Sequence, residues 1–183
     1  MRIIAGKYKS RRLKLPKKKS IRPTMDRVKE TLFNVIGQDI SGKHVLDLCA
    51  GCGSLGFEAL SRGAQSVCFV DNDPSAIQCI KHNAELLKAE DLVTIIKKSV
   101  LIVVPLLKSR NKIFDYILFD PPYRGILTKK TLMKLNQFDI LAPCGKIIIE
   151  HSAHENITEL ERFEYIMSKE FGETRLTFLG SNH

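Results

Sequence analysis

At 183 residues, with 44% apolar and 27% charged side chains, the chain has the length and composition of one soluble domain with room for a substantial core. No apolar run approaches the roughly 20 residues of a membrane span, and the amino end lacks a secretory signal's apolar centre. Five cysteines without framework spacing point to a reducing cytoplasm, and the net charge of +9 is not spread evenly.

Residues 1–30 carry twelve Lys or Arg against Asp26 and Glu30, whereas the remaining 153 residues are nearly balanced. "RIIAGKYKSRRLKL" interleaves Ile3, Ile4, Tyr8, Leu13 and Leu15 with these charges. The pattern predicts an ordered basic hairpin or extended arm rather than a solvated tail, and such an arm is a footprint for phosphate backbones. "RPTMDRVKETLFNVIG" then reads as a helix with Thr24 as N-cap, Val28, Leu32 and Ile36 on one face and Gly37 as a stop. "HVLDL" is a buried strand, followed by the turn "CAGCGSLG" and a helix through "FEALSRG". "SVCFV" is a second strand ending at Asp71, and Asp73 with Pro74 opens a helix that lines up Ile77, Ile80, Ala84 and Leu87. "LVTII" and "IFDYILF" are the third and fourth strands, "TLMKLNQF" a helix, "APCG" a turn and "KIIIE" a fifth strand. "RFEYIMSKEF" and "ETRLTFLG", divided by Gly172, predict a closing hairpin.

Strands alternating with helices imply an α/β fold with a parallel sheet covered on both faces. Ligands of such sheets bind beyond the carboxyl ends of the strands. Asp47 to Gly56, Asp71, Ser99 and Asp120 to Tyr123 all fall there. Gly51 and Gly53 allow a tight turn and close backbone approach, and Asp71, 24 residues beyond Asp47, suits ribose hydroxyls. Gly51, Gly53 and Gly56 also satisfy G-x-G-x-x-G, so a nicotinamide enzyme is a rival on this turn alone.

"DPPY" decides between them. An exocyclic amine on a nucleobase is a poor nucleophile because its lone pair is delocalised into the ring. Two acceptors gripping its N–H bonds, the Asp120 carboxylate and the Pro121 carbonyl, would turn that lone pair toward an electrophile. Pro121 and Pro122 fix the backbone and remove competing donors, and Tyr123 offers a face for base stacking worth about 1–3 kcal/mol.

With "RIIAG", "RPTMDRVKETLFN", "LDLCAGCGSLGFEALSRGA" and "DPPY" in order, the chain resembles the class I S-adenosylmethionine-dependent methyltransferases. More narrowly it resembles the bacterial 16S rRNA guanine-N2 methyltransferase family (RsmD type) over almost its whole length. The resemblance implies a Rossmann-like, seven-stranded, mostly parallel sheet with an antiparallel last strand. With the arm read from the charge pattern, the chain divides into a basic arm over residues 1–22 and a methyltransferase domain over 23–183. The implied reaction is methyl transfer from S-adenosylmethionine to guanine N2 of small-subunit ribosomal RNA, within an assembling or assembled subunit, by a cytoplasmic monomer. Asp120, Pro121, Pro122 and Tyr123 would be catalytic. Asp47, Ala50, Gly51, Gly53, Asp71, Asn72, Ser99 and Asp120 would bind the cofactor. Lys7, Arg11, Arg12, Arg22 and Arg27 would hold RNA. Cys49 and Cys52 depart from the family pattern; with no second metal-ligand pair they read as small residues lining the cofactor turn, and no metal is expected. Adenine-N6 and protein glutamine-N5 methyltransferases share the tetrapeptide, and a non-catalytic RNA-binding assembly factor could share arm and fold. The first usually needs a recognition domain for which this length leaves little room. The second needs no basic arm, and the third has no use for "DPPY".

Overall fold

A computed structural model describes residues 1–16, 26–122, 125–157 and 160–182. The expected N-cap Thr24 and the candidate site residues Arg22 and Tyr123 lie outside the described residues. The elements in chain order are α1 (Asp26–Ile36), β1 (His44–Leu48), α2 (Ser54–Ser61), β2 (Ser66–Asp71), α3 (Pro74–Leu87), β3 (Val93–Lys97), α4 (Val100–Ser109), β4 (Phe114–Phe119), α5 (Ile126–Gln137), β5 (Leu141–Ser152), β6 (Phe163–Phe171) and β7 (Thr174–Ser181).

The seven strands form one sheet in the order β3-β2-β1-β4-β5-β7-β6. β1 to β5 run parallel, and β7 is antiparallel to β5 and to β6. The sheet is seven-stranded and mostly parallel, with the antiparallel last strand that the resemblance implied. Each face is closed by its own core. Val45, Phe69, Leu118 and Ile148 pack with α1, α2 and α3. Leu46, Val70, Ile117 and Ile149 pack with α4 and α5. Phe33, Phe57, Phe69, Phe119 and Phe178 are fully buried, each stabilising the fold by about 1.5–3 kcal/mol. The periodic faces read from sequence are the buried ones: Val28, Leu32 and Ile36 in α1, and Ile77, Ile80, Ala84 and Leu87 in α3.

Two segments differ from the sequence expectation. α4 is a helix where the reading left a gap between the third and fourth strands. Its sequence, VLIVVPLLKS, is apolar almost all round and carries Pro105, which removes an internal hydrogen bond at a cost of about 3 kcal/mol. The helix forms because a parallel β3-to-β4 step needs a crossover, and burial of Val103, Val104 and Leu107 offsets the proline. "APCG" is not a separate turn: it lies inside β5, where Phe114 pairs with Leu141 and Tyr116 with Lys146. Cys144, at φ 61, marks this bulge.

The arm is ordered and docked. Arg2 and Arg12 form an antiparallel bridge, the Ile3 amide donates to the Arg11 carbonyl at 3.0 Å, and the Ser10 amide donates to the Ile3 carbonyl at 2.9 Å. Ile3, Tyr8 and Leu13 point inward and join the core on the α1 side, while Lys7, Lys9, Arg11 and Arg12 are exposed. The anchor is the end of α2. Glu58 accepts the amides of Ile4 (2.8 Å) and Ala5 (3.0 Å), and Ser61 accepts those of Tyr8 through its hydroxyl (2.8 Å) and Lys7 through its carbonyl (2.7 Å). Glu58 is itself paired with Arg62 at 3.0 Å and lies 3.8 Å from Lys29, all three side chains being buried. Removing one member of such a group leaves an uncompensated buried charge, so the anchor is held by mutual need.

Candidate functional site

The sheet's order reverses between β1, which turns toward β2, and β4, which leads to β5, and a crevice opens at the carboxyl ends there. A cavity of about 400 Å³ fills it, a volume in the range of small-molecule sites. Its wall takes Cys49, Ala50, Gly51, Cys52 and Ser54 from the first turn, Asp71, Asn72 and Asp73 from the second, Lys98, Ser99 and Val100 from the third, and Asp120, Pro121 and Pro122 from the fourth.

The first turn is held from beneath by acids. Asp71 accepts the Gly51 amide at 2.8 Å through one oxygen and the Asp73 amide at 2.9 Å through the other. Gly51 sits at φ +57, and a Cβ built on it would meet nothing within 4 Å, so its missing side chain leaves backbone open to the cavity. Gly53 has a different reason to be glycine: at φ +80, an added Cβ would stand 2.7 Å from the Phe57 ring. Gly56 carries no side chain because one would lie 2.2 Å from the Phe69 ring, where α2 packs on β2.

Of the expected cofactor residues, Ala50, Gly51, Asp71, Asn72, Ser99 and Asp120 come together on this wall, whereas Asp47 and Gly53 stand behind it. Asp47 is 2% exposed and accepts the Gly56 amide at 2.9 Å. Burial pushes its carboxyl up to about 7 against the pull of that amide, and the neighbouring Asp71 charge raises it further. Asp47 therefore orders the start of α2 rather than facing the cavity. Ser99 caps α4 by accepting the Leu101 amide at 3.4 Å, and Asp73 caps α3 through the Ser75 amide at 2.8 Å. Burial, reinforced by nearby carboxylates, raises the Cys49 thiol well above its usual range. Burial likewise moves Cys52 up to about 11. Both are protonated, weakly nucleophilic wall residues.

The sequence reading missed Met1, Asp73, Lys98 and Leu127 on this wall. Asp73 alone had a legible signal, as the acid before the helix-opening proline. Among the described residues, Lys7, Arg11, Arg12 and Arg27 are not part of the cavity wall. Lys7, Arg11 and Arg12 ride on the docked arm, and the exposed Arg27 guanidinium lies 5.8 Å from the Phe171 ring centre. One side chain joins arm to turn. Asn83, fully buried, accepts the Lys14 amide at 2.8 Å and donates to the carbonyls of Lys14 (3.1 Å) and Cys52 (3.0 Å). His151, near the end of β5, is a structural residue: its ring bonds the Ser152 carbonyl and the Thr177 hydroxyl, and burial lowers its basicity.

With this geometry in view, the chain matches the family described as Conserved hypothetical protein 95 over residues 1–180. The chain belongs to this family. It is 34% identical over 173 residues to a Haemophilus influenzae protein named ribosomal RNA small subunit methyltransferase D, covering 94% of this chain and 89% of the relative. It is 38% identical over 159 residues to a Bacillus subtilis protein provisionally named an rRNA methyltransferase, covering 87% and 86%. A solved Haemophilus influenzae structure, provisionally named a methylase, superposes with a TM-score of 0.83 at 32% identity over 100% of this chain and 99% of its own.

Proposed function

We propose that this chain transfers a methyl group from S-adenosylmethionine to the exocyclic N2 of a guanine in small-subunit ribosomal RNA. One observation carries the reading: Asp120, Pro121 and Pro122 share a cavity wall with the open backbone of Gly51 and the carboxylate of Asp71. An amine gripped at Asp120 therefore stands beside a pocket of cofactor size, in a family whose curated relatives are named for ribosomal RNA methylation.

In this reading Asp71 receives the cofactor's ribose, the Gly51 backbone approaches it closely, and Asn72 and Ser99 flank its base. The cofactor supplies an electrophilic methyl group on a sulfonium. Asp120 and the Pro121 carbonyl accept the two N–H bonds of the target amine and orient its lone pair, and Tyr123 stacks the base. As the nitrogen gains positive charge, the Asp120 carboxylate stabilises it within a partly desolvated crevice. The base reaches this pocket only when unstacked and presented singly. Lys7, Arg11, Arg12, Arg22 and Arg27 hold phosphates. In the same reading, residues 1–22 are the RNA-binding arm and 23–183 the methyltransferase domain. The protein works as a monomer in the cytoplasm on a small subunit during or after assembly.

The test is methylation of unmodified small-subunit rRNA and of small subunits with labelled S-adenosylmethionine, followed by nucleoside analysis. N2-methylguanosine at one position is expected. Label in N6-methyladenosine or in protein glutamine would replace the reading with one of its rivals.

A further inference from the structure

We infer that Glu150 reads the target base, accepting the N1–H of guanine while Asp120 holds the amino group, so that a pair of acceptors on adjacent strands selects guanine. The inference rests on the proposed function for the site at Asp120, and it concerns which base that site accepts.

The placement follows from register. In the parallel β4–β5 pair, Leu118 faces Ile148 and Phe119 faces Ile149, so Asp120 and Glu150 come next, side by side at the carboxyl ends. The Asp120 amide donates to the Leu48 carbonyl at 3.4 Å, which keeps the ladder running to that residue. Leu118 and Ile148 belong to the same core on the α1 side, and strand alternation puts the residues two further on, Asp120 and Glu150, on that same face. Neighbouring strands stand about 4.8 Å apart, close enough for the two side chains to converge on one base edge. Glu150 is only 8% exposed and pairs on its other side with Leu176 of β7, so it is a buried acid just past the last β4–β5 pair. The segments leaving both strands also meet: a Cβ on Gly125 would lie 3.1 Å from the Glu155 carboxyl. The ends of β4 and β5 thus share one rim.

The chemistry then discriminates. Guanine presents N1–H and N2–H as adjacent donors, and two carboxylates are acceptors only. Adenine and cytosine present an amino donor next to a ring nitrogen that is itself an acceptor. A second carboxylate would face that nitrogen lone pair to lone pair, inside a site where unmatched polar groups are heavily penalised.

The experiment uses RNA carrying either guanine or 2-aminopurine at the methylated position. 2-Aminopurine keeps the 2-amino group but has an acceptor where guanine has N1–H. For the parent, kcat/KM on 2-aminopurine is expected to fall about 10–150-fold relative to guanine. Glu150→Gln places an amide that can donate to the 2-aminopurine N1, so the guanine preference is expected to contract to a few-fold. Because O6 is absent from 2-aminopurine for both proteins, the change in ratio isolates the N1 contact. Binding of S-adenosylhomocysteine by calorimetry is expected to be unchanged. Equal parental rates on the two bases would overturn the inference without any variant, as would a preference that Glu150→Gln leaves intact. Failure of the parent to methylate guanine N2 at all would instead overturn the proposed function, and this inference with it.

Discussion

The two halves of the cavity wall are made rigid by different means. On the β1–β2 side, acids hold the backbone: Asp71 takes the amides of Gly51 and Asp73, and Asp47 takes that of Gly56 from below. On the β4 side, Pro121 and Pro122 restrain the chain covalently, and Asp120 sits on the wall beside them. The carboxylates on the first side thus scaffold the turn, and in the proposed reading Asp71 is also a contact, whereas on the β4 side the proline rings restrain the backbone beside Asp120. Substitution of acids on the two sides is expected to fail in different ways.

The largest contrast is in turnover. Asp120→Ala is expected to lose 10²–10⁴-fold in single-turnover methylation, about 3–5 kcal/mol, while S-adenosylhomocysteine binds within a few-fold of parental affinity. A variant that instead loses melting temperature and keeps its rate per folded molecule would make Asp120 a strand terminator. Tyr123→Phe is expected to be mild and Tyr123→Ala severe on the same assay, since stacking needs the ring and not the hydroxyl.

Asp47 sharpens the comparison through pH. Its folded carboxyl titrates near 7, above the ordinary carboxylate value, so folding takes up a proton between about pH 4 and pH 7. Its contribution to stability is therefore full at low pH and declines as pH rises through that window, by roughly 3 kcal/mol. Asp47→Asn lacks this decline, so its stability relative to the parent is expected to rise from pH 4.5 to pH 7 in urea unfolding. A parent–variant difference that is flat with pH would refute a buried proton there.

Asp71→Ala is expected to weaken the cofactor by about 1–3 kcal/mol in calorimetry and also to lower the melting temperature, because the Gly51 and Asp73 amides lose their acceptor. Loss of affinity with unchanged stability would place Asp71 with Asp120 as a contact only.

The smallest effect is on the arm. Deleting residues 1–19 would be a poor test, because Ile3, Tyr8 and Leu13 are core and Met1 lines the cavity. Replacing Lys7, Arg11 and Arg12 with serine leaves that core intact. It is expected to reduce the slope of log affinity against log salt by about two for single-stranded RNA, with cofactor binding unaffected. An unchanged slope would mean that these charges are only solvated.

The strands were legible because buried parallel strands read as short apolar runs, and β1 spans the same five residues in sequence and structure. α4 was not, since its apolar, β-branched composition hides helical period and Pro105 argues against a helix; only the need for a crossover reveals it. The site's wall was readable where a residue ends a strand or closely follows one, as at Asp71, Ser99 and Asp120. Asp47, in the same motif, is buried behind the wall, because a spacing does not carry depth. The anchoring of the arm was out of reach: Tyr8 meets Ser61 and Lys14 meets Asn83 across 53 and 69 positions, with no local pattern at either end.

That separation bears on how the protein is made. The arm leaves the ribosome before its docking partners, which follow 53 to 69 residues later, on the order of 3–14 s at typical elongation rates. Until Glu58, Ser61 and Asn83 have emerged, the strip with Ile3, Tyr8 and Leu13 has nothing to bury against. Over that interval the newborn chain carries an undocked strip that is both apolar and cationic. In the proposed reading the arm's phosphate-holding surface is organised only once these partners have folded beneath it, which ties tight RNA engagement to a folded domain.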